Sequence, residues 1–201
     1  MHSIGIFCGS SEGSDPVYMD AARATGKLLA ETGISVVYGG GRVGLMGALA
    51  DSALQHGGVV TGVIPRALVE REIAHTSLTD LHVVENMHER KDKMAALSSA
   101  FIALPGGAGT LEEIFEQWTW AQLGIHRKPC AFLNINGFYK PLELMIKRMV
   151  GQGFMRQNYA DMVLFSSSTL DIVEYFRSYI PPESKWTVDA DAELTHVPTP
   201  D

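Results

Sequence analysis

Cysteine is scarce: the chain has two in 201 residues, and neither Cys8 nor Cys130 has a partner at CxxC or CxxH spacing. A zinc site and a redox pair are therefore not indicated, and both thiols read as reduced core residues at strand ends. Basic residues are in deficit as well, 16 Lys and Arg against 23 Asp and Glu, for a formal charge of −7 and a pI near 5.5. This balance gives no footprint for a nucleic-acid polymer, although it leaves room for a local basic pocket around one phosphate. No apolar run approaches the length of a membrane span. The start, MHSIGIFCGSS, has no cationic region and too short an apolar run for a signal peptide, so a cytoplasmic protein without a membrane partner is expected. Three catalytic strings are missing too. HERKD at 88–92 lacks the second histidine of H-E-x-x-H, and neither a G-x-S-x-G elbow nor a G-x-x-x-x-G-K-[ST] loop occurs.

Hydrophobic residues make up 46% of the chain and charged ones 19%, within the usual range for one globular domain with a sizeable core. Short β-rich runs at Ile4–Cys8, Ser35–Tyr38, Val59–Ile64, Leu81–Val84, Phe101–Leu104, Ala131–Asn134 and Met162–Phe165 alternate with helical patterns. A first helix is expected to begin at Asp15-Pro16 and stop before Gly33, with others over Gly44–His56, His88–Ser99, Thr110–Leu123, Tyr139–Gln152 and Thr169–Tyr179. The alternation predicts an α/β fold with one open parallel sheet and helices on both faces. Residues 1–180 read as a single domain; after Pro181-Pro182 the chain turns polar and acidic, so 181–201 reads as a tail without chemistry. Arg66 to Asp80 shows neither period and is either a loop over the ligand crevice or a plain long connection.

Three predicted strand ends run into glycine-bearing turns: CGSS at 8–11, YGGGRVGLMG at 38–47 and LPGGAGT at 104–110. Ligands of open α/β sheets bind beyond the carboxyl ends of the strands, so these turns are expected to share a crevice. Gly39 to Gly44 satisfies G-x-G-x-x-G, yet Ser52 to Val69 contains no acidic residue for ribose hydroxyls. A mononucleotide, or glycines serving only close packing, fits better than a dinucleotide. Gly106, Gly107 and Gly109 with Thr110 mark a helix start whose free amides and positive dipole end suit an anion, with a monophosphate the simplest guest. Glu113 follows Thr110 by three residues, which reads either as a capping box or as a carboxylate working at the sugar. Arg90 and Lys91 open another helix against its dipole, a conflict that a nearby anion removes; the alternative is a solvated turn supported by a Glu89–Lys93 pair.

In this order and spacing, YGGGRVGLMG, GVIPRAL, MHERK and LPGGAGTLEE resemble the LONELY GUY family of cytokinin riboside 5′-monophosphate phosphoribohydrolases, from about Ile4 to about Tyr179. The resemblance implies a Rossmann-like fold, no metal or organic cofactor, and hydrolysis of the N-glycosidic bond of AMP or an N6-modified AMP. Free base and ribose 5-phosphate are the products, and cytokinin biosynthesis is the associated role. By the family's motifs Arg90 and Glu113 are catalytic. Lys91, Gly107, Ala108, Gly109 and Thr110 hold the nucleotide, with Glu72 and Thr119 at further ligand-contacting positions; Ala108 stands where the motif often has tyrosine. Relatives have carried the label lysine decarboxylase, which nothing in this sequence supports.

Breaking an N-glycosidic bond builds positive charge on the sugar and negative charge on the departing base. Glu113 suits the sugar, and Arg90 suits the base electrostatically without being able to give up its proton. The competing class is a non-catalytic nucleotide or cofactor carrier on the same fold. A homodimer is also expected: Leu111, Ile114, Phe115, Trp118, Trp120 and Leu123 put apolar groups nearly all round the helix from Thr110 to Leu123.

Overall fold

Along the chain, β1 (Ser3–Phe7), β2 (Ser35–Tyr38), β3 (Val60–Pro65), β4 (Asp80–Val84), β5 (Phe101–Ala103), β6 (Cys130–Leu133) and β7 (Val163–Ser166) line up as one sheet. Its order is β4-β3-β2-β1-β5-β6-β7, and all neighbours pair in parallel. This computed structural model describes residues 1–69 and 74–183. The sheet is the open parallel arrangement expected from the alternating pattern, and each strand lies within one residue of its expected place.

The strands alternate side chains between two apolar layers, as the two-residue period of a strand requires. Ile4, Ile6, Val36, Tyr38, Ile102, Leu104, Ala131 and Leu133 face α1 (Pro16–Glu31), α2 (Gly44–Gln55) and α8 (Thr169–Ser178). Phe7, Val37, Val63, Phe101, Ala103, Cys130 and Phe132 face α4 (Met87–Leu97), α5 (Ala108–Gln122), α6 (Lys140–Gly151) and α7 (Gln157–Ala160). Both faces are covered, so the central strands β5 and β6 are buried along their whole length, while the edge strand β4 is not.

α1 starts as its sequence dictates: Asp15 caps it, accepting from the Val17 amide at 3.0 Å, with Pro16 at the first helical position. α4 starts at Asn86, whose side chain accepts from the Glu89 amide at 3.0 Å. α5 is held by Trp118, fully buried, whose indole N–H donates to the Tyr159 carbonyl at 3.0 Å. Removing such a side chain typically costs about 3–5 kcal/mol, so α5 is pinned on the sheet one turn beyond Glu113. Met94 and Ala95 bury α4 in the same layer.

The elements that the pattern did not show are short: α3 (Arg66–Val69), α7 and a 3₁₀ turn at Ile135–Gly137. Four residues or fewer display no period. The stretch after α3 returns to the sheet through Ala74, which bridges Gly41, and through His75, whose amide donates to the Gly40 carbonyl at 2.9 Å. The His75 ring meets Asp51 of α2 at 3.0 Å. The far end of this connection is thus fastened to the glycine turn after β2. The expected tail falls almost entirely outside the described residues.

Candidate active site

The strand order reverses between β1 and β5, and there the two outgoing turns touch: the Gly9 amide donates to the Pro105 carbonyl at 3.0 Å. A cleft of about 470 Å³ opens at this point, bounded by residues 9–14, the Gly106–Gly107 turn, Leu45 and the edge-to-face rings of Tyr18 and Phe138. Such a reversal is where open parallel sheets hold their ligands.

Gly107 caps α5 in extended conformation and makes no side-chain capping bond, and the first turn holds no acidic residue. The leading amides of this 15-residue helix are therefore not neutralised from within the helix. Gly107, Ala108 and Gly109 are exposed while Thr110 is buried. The helix begins two residues before the expected Thr110, so Thr110 stands at the third helical position and the capping-box account of Thr110 and Glu113 does not hold. Glycine at the cap leaves no side-chain signal of the true start.

Freed from capping, Glu113 turns to α4. Its Oε1 accepts from Arg90 Nη1 at 2.6 Å, and the two side chains are 9% and 11% exposed. Arg90 Nε also donates to the Val63 carbonyl at the end of β3, at 3.2 Å. Its guanidinium passes so close over Gly39 that a Cβ there would overlap Nη2. The first glycine of YGGGRVG thus makes room for a cation; the last, Gly44, holds a φ of 58° against the Ser10 carbonyl. Both act through close packing, one of the readings left open for this string.

Burial pushes the Glu113 carboxyl above its ordinary value, against the opposing pull of the Arg90 charge and hydrogen bond. The neighbouring Cys8 thiol is pushed up by burial and then by the Glu113 charge, and it remains a buried neutral thiol. No group of three or more His, Cys, Asp or Glu is placed to hold a metal ion among the described residues.

Lys91, expected at the nucleotide, has its Nζ donating to Glu112 Oε1 at 2.6 Å and to Glu116 Oε1 at 2.9 Å. The cations opening α4 thus find their anions on α5. Glu89 accepts from the Glu85 amide and from Asn86 Nδ2 at 3.1 Å each, bracing the turn before α4. Thr119 is exposed on α5, seven residues past Glu112. Glu72 lies outside the described residues. Sequence reasoning did not find the Val63 carbonyl, the close approach over Gly39 or the two carboxylates on Lys91, because each joins segments distant in sequence.

The chain matches the protein-family profile described as "Possible lysine decarboxylase" over residues 46–176. It is 50% identical over 154 residues to the cytokinin riboside 5′-monophosphate phosphoribohydrolase of Rhodococcoides fascians, covering 76% of this chain and 78% of that protein. The Arabidopsis thaliana enzyme LOG7 is 44% identical over 200 residues, 97% of this chain and 92% of its own. Among solved structures, the molybdenum cofactor binding protein of Rippkaea orientalis superposes with a TM-score of 0.67 at 21% identity, over 88% of this chain and 96% of its own. The molybdenum cofactor carrier of Chlamydomonas reinhardtii gives 0.66 at 19%, over 89% and 99%. These two likenesses bear on the fold, which is Rossmann-like. By sequence identity over nearly its whole length, the chain belongs to the LONELY GUY family of cytokinin riboside 5′-monophosphate phosphoribohydrolases.

Proposed function

We propose that the chain hydrolyses the N-glycosidic bond of a nucleoside 5′-monophosphate, AMP or an N6-modified AMP, to the free base and ribose 5-phosphate. The observation that carries this reading is the buried Arg90–Glu113 pair at 2.6 Å, two turns along α5 from an open helix start. Glu113 stands in the second turn of α5, and helical side chains lean toward the helix N-terminus, the end that receives the anion. A phosphate on the amides of Gly107, Ala108, Gly109 and Thr110 then sets C1′ near Glu113.

In the reaction, the C1′–N bond breaks with its electron pair leaving on the base, which takes up a proton, and water oxygen bonds to C1′ as it loses one. Glu113 stabilises the cationic sugar and accepts the water's proton. Arg90 faces the negative charge on the departing base and holds Glu113 in place, but it is not the acid, because a guanidinium does not give up its proton in a protein. Relatives over nearly the whole chain are named for this activity on cytokinin riboside monophosphates, which supports the same substrate class here.

The protein further works, in this reading, as a homodimer in the cytosol, with residues 1–180 as its catalytic unit and 181–201 as an accessory tail. Two buried unpaired cysteines suit a reducing compartment, and no described helix is long and apolar enough to cross a membrane. Incubation with AMP followed by chromatography tests the reaction: free adenine supports hydrolysis, whereas tight binding with AMP intact supports a carrier.

A further inference from the structure

The connection from α5 to β6 carries His126, half-buried, which uses both of its ring nitrogens. The Lys128 backbone N–H donates to Nδ1 at 3.2 Å. The ring's own proton is therefore on Nε2, which donates to Gln117 Oε1 at 3.3 Å. Gln117 lies on α5 and is 1% exposed. The ring also packs against Phe101 of β5, with centroids 5.6 Å apart, and against Trp120 of α5 at 6.4 Å. Lys128 completes the connection: its Nζ donates to the Ala95 carbonyl in the last turn of α4 at 2.6 Å and lies 5.9 Å from the centroid of the same Phe101 ring.

All of these contacts call for a neutral imidazole. A second proton has only Nδ1 to occupy, where it would face the Lys128 N–H, donor against donor. It would also set a second cation against the ring that the Lys128 ammonium already overlies. The other neighbours offer no compensation. Phe101 from β5 and Gln117 and Trp120 from α5 do not titrate, α4 contributes the Ala95 carbonyl that Lys128 occupies, and the adjacent Arg127 bears its charge on Tyr179. Among the described residues no carboxylate meets this ring.

From this geometry we infer that His126 is an acid-sensitive latch: neutral, it locks the α5–β6 connection onto α5 and β5, and protonated, it releases that connection. Burial, and after it the Lys128 charge, pulls the ring down from its ordinary 6.5 to about 4. The unfolded chain takes up a proton near 6.5 that the folded chain refuses until about 4. The stabilisation by His126 is thus complete above 6.5 and is lost as pH falls from there toward 4. This device is separate from the catalytic pair and acts on stability at any substrate concentration.

The test measures thermal melting of wild type and of His126→Asn between neutral pH and about pH 4.5, together with the ring titration of His126 in wild type by NMR. Asparagine does not titrate, and its Oδ1 can accept from the Lys128 amide in place of Nδ1. Carboxylates act on both proteins alike, so the difference between their melting curves belongs to His126. The latch predicts that wild-type Tm falls by at least about 4 °C more than that of His126→Asn over this range. It also predicts a wild-type ring, identified by the resonance missing in His126→Asn, that titrates well below 6.5. An equal fall in Tm for the two proteins would overturn the latch, and so would a ring that titrates at or above 6.5. If His126→Asn does not fold, the wild-type titration decides alone, with the resonance assigned by sequential NMR.

Discussion

Arg90 and Glu113, 23 residues apart in sequence, meet at 2.6 Å in the layer between the sheet ends and the helices. Neither side chain is free to choose another posture. Arg90 is also bonded to the Val63 carbonyl and spread over Gly39, while Glu113 rides on a helix fastened by Trp118. Under the proposed reaction, a charge pair held this rigidly presents an anion to the sugar and a cation to the leaving base with little reorganisation.

Under the proposed reaction, the raised Glu113 pKa is expected to set the acid limit of activity. The group works ionised, and burial favours its neutral form, so activity falls as pH drops through a value above the ordinary glutamate value of 4.5. The pH profile of kcat/KM checks this. An acid limb at or below the ordinary value would mean that Arg90 outweighs burial.

Gly39→Ala puts a methyl group where Arg90 Nη2 now lies. Overpacking of this kind costs about 1–3 kcal/mol. Here the guanidinium is the group that has to move, so kcat falls by about 10-fold or more while the fold persists. Thermal melting together with kcat for AMP separates the two effects; unchanged kcat would show that Arg90 has room to spare.

Adenosine lacks the anion that the open start of α5 receives. Its kcat/KM is expected to be lower than that of AMP by at least about 100-fold, because remote binding energy orients the sugar. Comparable values for the two compounds would remove the phosphate site from the account.

Most of the architecture was legible because short apolar runs such as Phe101–Leu104 alternate with helical patterns and end in turn residues such as Pro105 and Gly106. Asp15-Pro16 marked a helix start through chemistry visible in two letters. The start of α5 was not visible in this way: Gly107 caps it without a side chain, so Thr110 and Glu113 took on the look of a capping box. The family pattern named Arg90 and Glu113 separately, but only the fold brings them together. The partners of Lys91, 21 and 25 positions away on another helix, carry no local signature at all.

On α5, Ile114 and Trp118 are buried on the sheet while Leu111, Phe115 and Trp120 remain half-buried. A partner subunit covering this outer stripe gives a mass near twice the 21.9 kDa of one chain. Light scattering at micromolar concentration checks it, and a mass near one chain would refute the homodimer.

Glu113→Gln tests the central claim most directly. The amide keeps the size and a hydrogen bond to Arg90 but has no charge with which to stabilise a cationic sugar or take a proton from water. The expected result is near-normal melting, AMP binding kept or tightened, and a loss in kcat on the order of 100-fold or more. Full kcat for AMP in a well-folded Glu113→Gln protein would contradict the assignment of Glu113 as the catalytic carboxylate.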